Sequence, residues 1–364
     1  MMSTNPNDPN HNREREKVPW ESPVTGLILP LLVGFLAFAG TFFVYQMEYD
    51  RWNWRPKTDL RHIPPEWITY RQTSLFACPV EGQPISFALQ GESTFVIGVA
   101  SPPSLSFYDE SGTLLRKIAL PEEPRAIICG TQETILTDKI VVAHSKTLAI
   151  YHAEGDCVAL WQLPDEQSNI RSLVLTPNYL FAADTGKRCV HRFDASGKLD
   201  LTFSRDLVVY ASPITMTFSP SAVPPAADGL LYIVNPGKHR IEVFTQEGIH
   251  QPELGWGEPS GSLSDFVGCC NPIYLAALAD GRILTVEKAI SRIKIFRTGG
   301  TAGMERTGAL DCVVAGPSIL EDVPAKLGRT PAEPGGRYFA AVPLPNGNIA
   351  VFDYEYAVVR IFSP

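Results

Sequence analysis

The chain has 364 residues, 45% of them apolar, which is enough for a sizeable core and excludes disorder as its general state. Its formal charge of -8, from 39 acidic against 31 basic residues, offers no basic field to gather phosphates and argues against nucleic acid as a partner. Seven cysteines are too sparse for a disulfide scaffold at this length, and the odd number leaves at least one thiol unpaired within a monomer.

Residues 1–21 are polar, contain Pro and Asn, lack apolar periodicity and read as a disordered cytoplasmic tail. Residues 22–47 carry no charge and include the 22-residue run VTGLILPLLVGFLAFAGTFFVY. At 1.5 Å per residue a helix of that length crosses a bilayer core, and Trp20, Tyr45, Tyr49, Trp52 and Trp54 suit its interfaces. Ala37-Phe38-Ala39 has the small-x-small form of a signal-peptidase site, but the apolar run continues to Tyr45, which favours an uncleaved anchor. Basic residues flank both ends, Arg13, Arg15 and Lys17 before and Arg51, Arg55, Lys57 and Arg61 after, so charge does not set orientation. Long domains translocate regardless of local charge, so the expected topology is a single-pass protein with an exported C-terminal domain, periplasmic or extracellular. Residues 48–72 mix aromatics with Pro and Arg and read as a juxtamembrane stalk.

From Thr73 the texture changes to short apolar runs divided by turn residues. Five segments end a strand on an aromatic and reach glycine four residues later: Tyr108 to Gly112, Tyr151 to Gly155, Phe193 to Gly197, Phe244 to Gly248 and Phe296 to Gly300. The aromatics are spaced by 43, 42, 51 and 52 residues, the period of a propeller blade. A β-sandwich with coincidental turns would not repeat one register five times. A sixth unit ends at Phe362 without its glycine, so the ring needs an outer strand from elsewhere, and residues 73–80 are the spare one. The expected fold is all-β, a six-bladed β-propeller spanning residues 73–364, preceded by one N-terminal transmembrane helix.

Segments such as YLFAADTGKRCVHRFDASGKL and GLLYIVNPGKHRIEVFTQEG resemble NHL repeats, over most of Ile85 to Phe362. That resemblance implies an NHL-type propeller and leaves function open, because such propellers serve as enzymes, scaffolds and receptors.

The residue after the second strand of successive units is His144, Asp184, Asn235, Glu287 and Asp353, which suggests polar side chains around one mouth of the channel. Asp and Asn at such places also commonly bond the turn backbone. On the same face, GCCNP places Cys269, Cys270 and Asn271 just before an inner strand, with Pro272 biasing Asn271 toward extended backbone. Three readings stay open for the cysteines: a strained vicinal disulfide, a metal site with His144, Glu287 and His239, or two buried inert thiols. FxGCCNP, followed by DGxIxTxEK and RIKIF, is similar to a motif of membrane-anchored bacterial NHL-repeat proteins, whose basic positions Lys288 and Arg292 match. A comparable adjacent-cysteine loop lies near the cofactor of quinoprotein alcohol dehydrogenase propellers, but this chain lacks their tryptophan-docking pattern, so no quinone is carried over.

Enzyme signatures are mostly absent: there is no nucleotide loop, GxSxG, zinc-protease helix or CxxCH. Amidating lyases of this fold hold zinc with three channel histidines, whereas here only His144 and His239 fall in suitable loops, His152 and His191 lying near or on third strands. The sequence identifies no cofactor. The expected function is a protein-binding or assembly platform in a membrane-associated complex, the rival being a redox or metal-dependent activity at Cys269 and Cys270.

Overall fold

The computed structural model describes residues 32–41, 59–204, 206–210, 212–220, 228–268, 270–288, 290–298, 307–322 and 338–364. The tail of residues 1–21, both ends of the 22–47 segment, stalk residues 48–58 and Cys269 lie outside the described residues. The chain divides into two units, Met1–Asp59 and Leu60–Pro364. In the first, residues 32–41 are helical, Leu32, Val33, Phe35, Leu36 and Phe38 are exposed, and Thr41 Oγ1 donates to the Ala37 carbonyl at 2.7 Å. Among the described residues no helix is long and apolar enough to cross a membrane.

The second unit is an all-β, six-bladed propeller. Blade 1 is β2 (Pro84–Gln90), β3 (Thr94–Val99), β4 (Ser104–Tyr108) and β5 (Leu114–Ala119). Blade 2 is β6 (Ala126–Cys129), β7 (Lys139–Ala143), β8 (Thr147–His152) and β9 (Cys157–Gln162). Blade 3 is β10 (Ile170–Leu175), β11 (Leu180–Asp184), β12 (Cys189–Phe193) and β13 (Leu199–Phe203). Blade 4 has three strands, β14 (Met216–Ser219), β15 (Leu230–Asn235) and β16 (Arg240–Phe244). In place of a regular outer strand, isolated bridges join Phe244 to His250 and Ile241 to Trp256. Blade 5 is β17 (Tyr274–Ala277), β18 (Ile283–Glu287), β19 (Arg292–Arg297) and β20 (Ala309–Ala315). Blade 6 combines β21 (Phe339–Pro343), β22 (Ile349–Asp353) and β23 (Val358–Ser363) with β1 (Arg71–Ala77). β1 pairs antiparallel with β23, from Arg71 opposite Ser363 to Ala77 opposite Val358, so the last blade borrows its outer strand from the start of the unit.

Second strands such as β11 and β22 are buried along their whole length, because each blade is sandwiched between two neighbours. They therefore read as continuous apolar runs, whereas the outer strands β5 and β13 alternate with solvent. The core is divided among the blade interfaces. One cluster joins blades 1 and 2, and others join 2 and 3, 3 and 4, 4 and 5, and 5 and 6. A further cluster joins blade 6 back to blade 1 through Phe352 stacked on Phe87, with ring centroids 4.8 Å apart, and closes the ring. The aromatics that mark the repeat, Tyr108, Tyr151, Phe193, Phe244, Phe296 and Phe362, are all buried in these interfaces.

The repeat glycines are fixed by two demands at once. Gly197 has φ +84° in the turn between β12 and β13, and a Cβ there would stand 2.4 Å from the Trp161 indole of the preceding blade. Gly248 does the same against Phe203. Gly197→Ala therefore combines left-handed backbone with an inter-blade clash, and should lower the unfolding free energy by about 2 kcal/mol or more. A chemical denaturation midpoint equal to that of the wild type would contradict this account of the repeat.

Candidate functional site

Each first strand begins at the same end of the ring, where the strands bound a cavity of about 320 Å³. Three hydroxyls that line it are consumed in joining blades. Ser86 Oγ donates to the Pro124 carbonyl at 2.7 Å, Thr215 Oγ1 donates to the Ile273 carbonyl at 3.1 Å, and Ser172 Oγ accepts the Met216 N–H at 3.1 Å. The polar side chains left to meet a ligand are two arginines, Arg125 and Arg171, three tyrosines, Tyr274, Tyr338 and Tyr354, and Gln83.

Arg171 owes its position to a β-bulge, a register shift between Ile170 and Ser172 that inserts it as an extra residue in β10. Among the described residues neither arginine makes an ion pair; Arg125 Nη1 lies 3.4 Å from Asn169 Oδ1, and its charge is also felt by the nearby Glu122 carboxylate. No described lining residue is acidic. Burial pushes the Tyr274 phenol up to about 12 and raises that of Tyr354 as well, Arg171 only partly offsetting the latter, so both hydroxyls stay protonated. Lys288 Nζ stands 3.5 Å from the Tyr338 hydroxyl and adds positive charge behind the rim. Two guanidinium groups beside neutral phenols in a half-apolar hollow can hold an anion, above all a carboxylate, by charge-assisted hydrogen bonds.

Of the residues read from the sequence as a polar ring, four hold the chain that leads into this cavity and Asp353 holds its own turn. Asp184 Oδ1 accepts the Asn169 N–H at 2.9 Å, two residues before Arg171. Asn235 Oδ1 accepts the Val208 N–H and Glu287 Oε2 accepts the Val267 N–H, each at 2.9 Å. His144 Nδ1 lies 3.2 Å from the Glu123 carbonyl, two residues before Arg125. Asp353 Oδ1 accepts the Glu355 N–H at 2.9 Å, beside Tyr354. All five side chains are buried, and the backbone they bind explains why: loop N–H and C=O groups withdrawn from water need partners. Burial lowers the affinity of His144 for a proton, which leaves its imidazole neutral. Burial would raise the Asp184 carboxyl, but hydrogen bonds from His191 and from backbone N–H groups outweigh it and hold it at about 2.

The GCCNP loop is fastened in the same way. Asn271 is fully buried, donates to the carbonyls of Val267 and Lys288, and accepts the Lys288 N–H at 2.9 Å. Cys270 is buried in left-handed backbone, φ +60°, and Ile273 and Tyr274 a few residues on line the cavity. Behind the loop, Glu287 Oε2 meets Arg292 Nη2 at 2.9 Å and Oε1 meets Lys294 Nζ at 2.7 Å, with all three side chains buried. His239, at φ +52° after a short 3-10 turn, sits in blade 4. Among the described residues, His144, His239 and Glu287 do not gather around Cys270 as a three-donor group; the group that does gather is Asp184, Cys189 and His191.

Burial lowers Lys294 to about 8, the attraction of Glu287 only partly opposing it. Below pH 8 both folded and unfolded chains carry the ammonium, and the folded chain bears its full desolvation. Between about 8 and the 10.4 of an unfolded lysine, the unfolded chain binds more protons, so this contribution to stability rises with pH. Wild-type stability should therefore gain on that of Lys294→Met as pH climbs from 8 to 10. Parallel stability curves for the two proteins would rule this out.

No protein-family model matches the chain, and no curated protein matches it by sequence. Solved structures do resemble it in fold. A streptogramin B lyase superposes with TM-score 0.52 at 11% identity, over 82% of this chain and 98% of the lyase. Virginiamycin B lyase from Staphylococcus aureus gives 0.52 at 11% identity, over 81% of this chain and 100% of the other. A structural-genomics protein of unknown function from Bacteroides thetaiotaomicron gives 0.54 at 11% identity, over 81% and 75%. At such identity the likeness shows the propeller fold and no activity.

Proposed function

We propose that this chain is a membrane-anchored propeller of NHL type that binds a protein partner on the exported side of the membrane, gripping an acidic group of that partner in the channel mouth. The observation that carries the reading is the pairing of Arg125 and Arg171, without acidic neighbours in the lining, beside Tyr274, Tyr338 and Tyr354. The apolar, uncharged segment of residues 22–47 supports the anchor, which would hold the platform at the periplasmic or extracellular surface. The sequence similarity of FxGCCNP to bacterial membrane-anchored NHL proteins supports the family reading. The rival assigns redox or metal chemistry to Cys269 and Cys270.

Affinity purification of the full chain from detergent-solubilised source membranes separates the two. A partner kept by Cys269→Ser/Cys270→Ser and lost by Arg125→Ala/Arg171→Ala supports the platform. Loss with the cysteine pair and retention with the arginine pair would replace it with the rival.

A further inference from the structure

The hairpin of blade 3 carries a group of side chains that the channel does not use. Asp184, the last residue of β11, lies opposite Cys189, the first of β12, and His191 follows two residues later on the same face of that strand. Cys189 Sγ stands 3.6 Å from His191 Nε2, which stands 3.2 Å from Asp184 Oδ2, and the three donor atoms lie within 4.8 Å of one another. All three residues are buried. We propose that these side chains form a structural site for a zinc-class divalent cation.

Four observations converge on this. First, a tetrahedral ion with ordinary zinc bond lengths would set sulfur and nitrogen about 3.6 Å apart, and nitrogen and oxygen about 3.3 Å apart, close to the spacings present. Second, His191 Nδ1 lies 2.9 Å from Thr202 Oγ1, so an ion can replace the proton that Nε2 shares with Asp184 while Nδ1–H is donated to the threonine, the arrangement of a ligating histidine held from behind. Third, one thiolate, one carboxylate and a neutral imidazole would neutralise a dication, which suits a buried site. On binding, the thiol gives up its proton to solvent, no oxidation is involved, and a water can complete the fourth position.

The fourth comes from blades 5 and 6. The same three hairpin positions hold Glu287, Arg292 and Lys294 in blade 5, where the two basic side chains neutralise the acid. In blade 6 they hold Asp353, Val358 and Arg360. Blade 3 has the acid but, in place of arginine or lysine, Cys189 and His191, two metal donors. A bound cation would fill the electrostatic place that Arg292 and Lys294 fill in blade 5, and would brace the carboxylate that tethers Asn169 ahead of Arg171.

The test is cobalt and zinc titration of the full chain in detergent, after chelator treatment and under reducing conditions. The expected result is one cobalt ion per chain with a thiolate-to-cobalt absorption band, displaced by zinc. Cys189→Ser should abolish the band, and Thr202→Ala should weaken zinc binding roughly 10- to 100-fold while leaving the stoichiometry. Circular dichroism keeps the test readable by showing that each variant is folded. Absence of the band in the wild type, or its persistence in folded Cys189→Ser, would overturn the site and leave Asp184 and His191 as a hydrogen-bonded pair.

Discussion

Glu287→Ala is expected to destabilise the propeller by about 3–5 kcal/mol, more than any other single change considered for this chain. The carboxylate holds Arg292 and Lys294, all three buried, and it also accepts the Val267 N–H ahead of the GCCNP loop. Removing it strands two cations in a medium that solvates them poorly and frees a loop N–H, so the penalty exceeds the worth of the contacts themselves. Replacing the whole cluster with apolar residues of similar volume, Glu287→Met with Arg292→Leu and Lys294→Met, should cost much less than Glu287→Ala alone, since no charge is left unpaired. Guanidinium denaturation of the three proteins measures both. A triple variant less stable than Glu287→Ala would mean that the cluster stabilises through its mutual attraction and not merely by compensating its own burial.

The second large effect concerns binding. Arg125→Ala with Arg171→Ala should weaken retention of an acidic partner by at least roughly 100-fold, because each charge-assisted bond contributes about 1.5–3 kcal/mol. The same pair should leave stability nearly unchanged, since neither arginine is fully buried and neither forms an ion pair among the described residues. Arg125→Lys with Arg171→Lys should recover part of the affinity, as a point charge replaces a planar fork. Salt sensitivity is the accompanying readout: partner retention by the wild type should fall as ionic strength rises, and that of the alanine pair should be weak throughout.

The six-fold repeat could be read from the sequence because packing and backbone geometry restrict the same position twice. Gly112, Gly155, Gly197 and Gly248 all have positive φ, and the aromatic four residues before each one fills an inter-blade interface, so residue types recur with the blade. The irregular outer side of blade 4 was not legible, because bridges at His250 and Trp256 leave no alternating pattern. The places of His144, Asp184, Asn235, Glu287 and Asp353 in the chain were legible, but the direction of their side chains was not. Asp353 bonds its own turn, while the other four turn toward the backbone of the segment leading into the inner strand, a demand that arises only after folding has removed those groups from water.

The arginines were missed for a similar reason. Arg125 and Arg171 are single basic residues in apolar company, and what sets Arg171 at the cavity is a bulge, which has no residue-type signature. Cys189 and His191 did leave a signal, an acid closing one strand followed by Cys-x-His opening the next, which becomes meaningful once the two strands are known to pair in that register. Asn271 shows the opposite case. Its side chain ties the start of the loop that contains Cys270 to the turn at Lys288 after β18, so part of that unusual stretch is accounted for by the need to fasten a turn beside the cavity.

The most direct measurement is photo-crosslinking from Tyr338, which is 42% exposed at the rim of the cavity. With benzoylphenylalanine in its place and the full chain in its source membranes, we expect a discrete protein adduct that disappears when Arg125→Ala and Arg171→Ala are added. An adduct of unchanged yield in that background, or none from the otherwise unaltered chain, would contradict the account of the channel mouth as the site that holds a partner.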